Sequence, residues 1–377
     1  MATKRTISNP FSITSYIGKD YFCDREAETE QICKALYNRR NITLISPRKM
    51  GKTGLIKNVF DTIGEHDAHC FYVDIYNTSN LREFIKVFAE NVFTKRLRPF
   101  TEHAWQEISR YFSNLRPVFS IDPITGTPQC SIDVQAEHEE NTLRTIFDYL
   151  EQADKRCFVA FDEFQTIAEY SDSKMEATLR SYIQHLNNVQ FIFAGSKKHV
   201  MLQMFSSANR PFFQSSQLMD IDVIPEGTYY TFSSSHLQRH GQQMDAGTFH
   251  ELYTLVGGHT WYVQVMLNRL YESAIKEIKY EDVLTVIDQW LQEQSPIYQT
   301  YSRLLTNKQL NIMRAVAHEG FVKEPGSSKF LQKYDLGAYS TVRSIIKTLT
   351  DKELLYPHED GGYSVYDRFW GIWLRHN

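Results

Sequence analysis

Three groups of residues in this chain have the types and spacing for phosphoryl chemistry. The first is the run Ser46-Pro47-Arg48-Lys49-Met50-Gly51-Lys52-Thr53-Gly54. A loop ending in Gly-Lys-Thr can turn its backbone N–H groups onto phosphate oxygens at a helix N-terminus. Lys52 then supplies a cation for the β- and γ-phosphates of ATP, and Thr53 a hydroxyl for Mg2+. The first position of the eight-residue pattern is Ser46, not glycine. A left-handed backbone there would cost about 1–2 kcal/mol, whereas an extended one costs little; the extended form is expected. The second group is Asp162-Glu163, closing the apolar run that begins at Cys157. Beside a phosphate loop, Asp162 would orient Mg2+ and Glu163 would polarise the attacking water. The third is Ser196, after Gln190–Gly195, placed to sense the γ-phosphate. The plainer alternatives are a solvated acidic turn at Asp162-Glu163 and an ordinary Gly-Ser turn at Ser196.

The loop needs a strand before it and a helix after it. Asn41–Ile45 reads as a buried strand, and Gly54–Phe60 has helical apolar spacing. Upstream, a helix is expected over about 27–39, with Ile32, Ala35 and Leu36 inward and Asp24 as N-cap. Further strands are expected over 70–76, 157–164, 190–196 and 217–223, and helices over 80–95, 141–152 and 175–187. Apolar runs of this kind imply parallel strands covered on both faces. The stretch Ser120–Asp133 reads as a hairpin with a Pro/Gly turn, within an insertion at about 98–137.

After Glu226 the β pattern stops, and helices are expected over 228–240, 245–255, 259–276 and 280–293. From about Ser302 the pattern is that of a winged helix. Its helices are 307–316, 327–334 and 340–349, the last burying Val342, Ile345, Ile346 and Leu349. Two short strands, 354–356 and 363–365, flank the acidic tip Glu359-Asp360-Gly361-Gly362, and an amphipathic aromatic segment ends the chain.

At 377 residues the chain has room for two or three domains. A net charge of −4 argues against a protein that coats nucleic acid, though not against a local basic patch. Five widely spaced cysteines without a Cys-x-x-Cys pair suit a reducing cytoplasm. Met1–Thr6 lacks an apolar core, so no signal peptide is expected, and no run approaches the ~18 apolar residues of a membrane span.

Together these pieces resemble the archaeal-type ATPases of the AAA+-related STAND class. The resemblance spans nearly the whole chain. It rests on Asn9-Pro10-Phe11, Phe22-Cys23-Asp24-Arg25-Glu26, Pro47–Thr53, Phe161-Asp162-Glu163, Gly195-Ser196, Gly257-Gly258-His259 and the terminal box from Tyr363 to Arg375. It implies an α/β fold: a five-stranded parallel P-loop sheet over 1–226, a helical lid over 227–300 and a winged-helix domain over 301–377. It also implies ATP and Mg2+ bound between core and lid. Three positions depart from the family pattern: Cys23 and Ser46 where glycine is usual, and Thr260 where proline is usual.

The leading functional expectation is a slow, Mg2+-dependent ATPase switch. Lys52 and residues 46–54 would hold the phosphates, Thr53 and Asp162 the Mg2+, Glu163 the water and Ser196 the γ-phosphate. Tyr21, Phe22 and Arg25 would border the adenine or pack the N-terminal arm. The winged helix would dock a protein partner or autoinhibit, since its acidic tip would repel DNA phosphates. The second expectation is an ATP-regulated DNA-binding protein, using Arg343, Lys347 and Lys352. Assembly into a homo-oligomer is left open, as is Arg210 as an arginine supplied in trans.

Overall fold

The computed structural model describes residues 9–96, 115–121, 128–134, 139–172, 174–358 and 361–376. The chain forms two compact units: Thr14–Val223, and the arm up to Ile13 together with Ile224 onward.

The first unit is built on five parallel strands: β1 (Ile42–Ile45), β2 (Ala68–Asp74), β5 (Arg156–Asp162), β6 (Val189–Gly195) and β7 (Gln217–Asp220). Their order is β2-β5-β6-β1-β7. All four positions of β1 and all seven of β6 are buried, as a sheet covered on both faces requires. Alternation sorts the side chains. Phe158, Ala160, Ile192 and Ala194 face α1 (Glu26–Tyr37) and α2 (Lys52–Ile63). Val159, Phe161, Phe191 and Phe193 face the opposite layer. That layer contains α3 (Leu81–Arg96), α4 (Glu139–Glu151), α5 (Met175–Ile183) and α6 (Lys198–Ser206). Phe161 stacks nearly parallel on Phe191 across β5 and β6, and Phe191 on Phe193 along β6, with centroids 6.0 and 5.8 Å apart.

The expected hairpin is present as β3 (Leu115–Ile121) paired antiparallel with β4 (Pro128–Val134). Its turn, 122–127, and the rest of the insertion, 97–114 and 135–138, lie outside the described residues. Asp24 is not the cap of α1. That position is Arg25, and both residues have left-handed backbones, φ 58° and 74°. Cys23 itself has no positive φ, so a side chain is accommodated where the family pattern has glycine.

The second unit holds α7 (Glu226–Arg239), α8 (Ala246–Leu255), α9 (Thr260–Glu272) and α10 (Tyr280–Arg303). The β pattern does not stop at Glu226: β8 (Gln243–Met244) and β9 (Glu277–Ile278) pair in parallel. The arm belongs here. Asn9 donates to the Asn268 carbonyl and Asn268 to the Phe11 carbonyl, while Phe11 is buried against Phe232, His236 and Tyr271.

The winged helix follows: α11 (Asn307–Glu319), α12 (Ser328–Lys333), α13 (Tyr339–Asp351), β10 (Leu355–Pro357) and β11 (Tyr363–Val365), then α14 (Arg368–His376). The tip residues Glu359 and Asp360 lie outside the described residues. Ile345 is half-buried, whereas Val342, Ile346 and Leu349 are buried. The helix α10 runs unbroken through Pro296 to Arg303. The aromatic face of α14 returns to the helical module. Phe369 packs among Trp261, Tyr262 and Trp290, and the Trp373 indole donates to the Ser295 hydroxyl.

Candidate active site

The phosphate loop joins β1 to α2 between two other strands of the sheet. Ser46 is buried and has no left-handed φ, so the unstrained backbone expected of it holds. Its N–H points at the Gly195 carbonyl, 3.5 Å away, at the end of β6. The left-handed positions are Lys49 (φ 64°) and Gly51 (φ 99°). Only the lysine bears strain, about 1–2 kcal/mol. The two turns start α2 at Lys52, with Gly51 as N-cap and no side chain capping the first turn. A helix start of this kind attracts anions.

Lys52 is 6% exposed, and its ammonium donates to loop oxygens: the Ser46 carbonyl at 2.9 Å, the Pro47 carbonyl at 3.1 Å and Ser46 Oγ at 3.1 Å. Burial lowers its pKa, and the Asp162 and Glu163 carboxylates work against that shift. Ser46 therefore contributes a hydroxyl that a glycine lacks; it also donates to the Pro47 carbonyl. Arg48 lies over the Tyr76 ring, and Met50 is buried.

Facing the loop is the end of β5. Asp162 is buried, and its Oδ2 accepts the Thr53 hydroxyl at 2.7 Å and the Tyr72 hydroxyl at 2.5 Å. Burial and the Asp162 carboxylate push the Tyr72 phenol pKa well up, which keeps it a donor. Glu163 has φ 56° and turns the chain out of the strand into a 3-10 segment, Phe164–Glu169. Within a strand, successive side chains point to opposite faces. The turn lets both acids serve one site. Glu163 Oε2 accepts the Ser196 hydroxyl at 2.8 Å and the Gln165 amide at 2.5 Å.

Lys52, Thr53, Asp162, Glu163 and Ser196 thus converge. Tyr72 and Gln165 join them without having been singled out in the sequence. A tyrosine on the neighbouring strand, and an amide two residues after the acids, were the available signals. Thr53 and Asp162 offer hydroxyl and carboxylate oxygens, the hard donors that Mg2+ prefers. Among the described residues no cluster of three or more His, Cys, Asp or Glu forms a metal cage.

Phe22 lies against the first turn of α2, where a Cβ on Gly54 would stand 3.1 Å from its ring. Arg25 is buried and engaged by the Glu28 carboxylate and the Asp222 carbonyl. Arg210 is paired with Glu176.

The chain matches the model of a family described as an ATPase domain predominantly from Archaea over residues 22–266. It matches a second, described as a probable winged helix domain, over residues 296–376. No curated protein matches it. Among solved structures it is similar to the Walker-type ATPase of Pyrococcus abyssi, with TM-score 0.65 and 14% identity over 97% of this chain and 99% of that one. It is also similar to the Aeropyrum pernix ORC1 protein in complex with DNA, with TM-score 0.55 and 12% identity over 98% and 96%. For the Aeropyrum pernix ORC2 protein in its ADPNP–ADP complexes, the TM-score is 0.52, with 14% identity over 97% of each chain. At these identities the likeness is one of fold.

Proposed function

The chain belongs to the family of ATPase domains predominantly from Archaea, and from that premise we propose that it binds ATP and hydrolyses it slowly, as a molecular switch. The observation that carries this reading is the 2.7 Å hydrogen bond from Thr53 to Asp162, beside a buried Lys52 at an uncapped helix start. Residues 46–54 would cradle the phosphates, and Lys52 would exchange its loop carbonyls for phosphate oxygens. Mg2+ held by Thr53 and Asp162 would neutralise phosphate charge. Glu163 would orient the attacking water and take its proton, and Ser196 would donate to a γ-phosphate oxygen. Phe22 would border the adenine; Arg25, held by Glu28, would fix the segment that carries it. Calorimetric titration with ATP, with and without Mg2+, joined to phosphate release, tests the reading: binding without magnesium dependence would remove it.

The parts we assign are a catalytic core over Thr14–Val223, a helical lid from Ile224 to about 300 that carries the arm up to Ile13, and a winged-helix output domain from about 301 that docks a protein partner. Five widely spaced cysteines without a Cys-x-x-Cys pair suit a reducing cytoplasm, and among the described residues no helix is long and apolar enough to cross a membrane. A second reading, duplex DNA binding, draws on exposed Tyr339, Arg343 and Lys347, spaced by four along α13. Duplex affinity that falls steeply with salt would favour it.

A further inference from the structure

Gln165 lies two residues beyond Glu163, in the 3-10 segment, with 2% exposure. A buried amide needs partners on both of its ends. Nε2 donates to Glu163 Oε2 at 2.5 Å and is 3.5 Å from Ser196 Oγ. Oε1 accepts the Ser196 backbone N–H at 3.2 Å. Ser196 Oγ donates to the same Glu163 oxygen at 2.8 Å. One amide therefore ties together the ends of two neighbouring strands. Space for it depends on Gly195, where a Cβ would stand 2.6 Å from Gln165 Oε1.

We propose that Gln165 is a positioning residue of this site, coupling Glu163 to Ser196 so that contact with a γ-phosphate and orientation of the attacking water change together. The proposal rests on the ATPase reading above. A serine hydroxyl has one proton to donate. When Ser196 gives it to a phosphate oxygen, Glu163 Oε2 loses that donor and retains the Gln165 amide. The amide is anchored through the Ser196 backbone, so the carboxylate stays in register with the sensor. Both bonds land on Oε2. Oε1 is the oxygen we assign to the attacking water.

The test is a double-mutant cycle on the full chain. Gln165→Met keeps the length of the side chain and removes both hydrogen-bonding ends. Gln165→Glu keeps the size and replaces the donor with an acceptor. For each, ATP affinity by calorimetry should stay within about 3-fold of the parent while kcat falls at least about 10-fold. In a Glu163→Gln background the same substitutions should lower kcat by less than about 2-fold, since the amide acts through Glu163. Parental turnover in either single variant, a loss that multiplies with Glu163→Gln, or a loss of affinity matching the loss of rate would overturn the coupling and leave the ATPase reading standing. Parental turnover in Glu163→Gln itself, or no turnover in the parent, would overturn both.

Discussion

At the scale of single residues, the site is a set of oxygen and nitrogen atoms whose roles follow from their partners. Lys52 is the cation fixed at the start of α2, so Lys52→Ala should abolish measurable ATP binding by calorimetry; unchanged affinity would refute the phosphate-loop assignment. Ser46 is unstrained and bonded to Lys52. Ser46→Gly removes two hydrogen bonds, from Lys52 and to the Pro47 carbonyl, about 1 kcal/mol each, and adds chain entropy to the unfolded state, about 0.5–1 kcal/mol. The melting temperature should therefore fall by a few degrees. A gain in both melting temperature and affinity would mean that the serine is strained after all. Glu163→Gln keeps size and removes the charge that polarises water, so turnover should drop by about 10²–10⁴-fold with affinity held or tightened. Asp162→Asn should differ by also weakening the magnesium dependence.

At the scale of elements, caps and turns decide where these residues point. Gly257 and Gly258 close α8 with φ 66° each, and Gly258 N–H bonds the Tyr253 carbonyl. A Cβ at Gly258 would stand 2.4 Å from the Tyr253 ring, whose hydroxyl donates to the Ile224 carbonyl. Gly258→Ala should thus destabilise the helical unit by about 2 kcal/mol or more, the left-handed cost plus displacement of the ring; a denaturant titration measures it. Thr260, where the family has proline, is the first residue of α9. Proline is tolerated at that position because its missing N–H would have no partner within the helix, so threonine there is a mild departure. Tyr262 and Tyr298 have phenol pKa values pushed up from 10.0, by burial first and by Asp367 second. A folded-state value raised above the unfolded one adds stability that is whole below the unfolded value, about 10, and is lost as pH rises from there through the folded value. Tyr298→Phe should make the fall in melting temperature above about pH 10 less steep.

At the scale of the molecule, the units meet in sequence at Val223 and Ile224. A switch driven by the γ-phosphate needs two states that the nucleotide binds unequally. ATP-loaded Glu163→Gln protein should therefore show a protease-cleavage pattern around Pro225–Thr228 distinct from that of the ADP-loaded protein. Identical patterns would favour a nucleotide-stabilised scaffold. The helix α10, continuous from Tyr280 to Arg303, and the Trp261–Trp290–Phe369 cluster join the helical module and the winged helix into one unit.

The five strands, the phosphate loop, the acidic strand end and the winged helix were legible in the sequence, because each has a local signature: an apolar run, a helical period, or a Gly-Lys-Thr at a strand–helix junction. Strand ends and helix starts shifted by a few residues. What the sequence could not determine depends on contacts between distant segments. Asp24 is an ordinary capping residue by type, yet the left-handed turn at Asp24 and Arg25 moves the cap onward. The arm at Asn9–Phe11 is adjacent in sequence to the sheet unit, but Asn268 and Tyr271 hold it elsewhere. Tyr72 and Gln165 enter the site only because parallel pairing sets β2 beside β5 and β6 beside β5. Their hydrogen bonds span 90 and 31 residues. Local pattern specifies which residues form strands and loops; only the folded sheet decides which strand ends lie side by side, and hence which side chains share a hydrogen-bond acceptor.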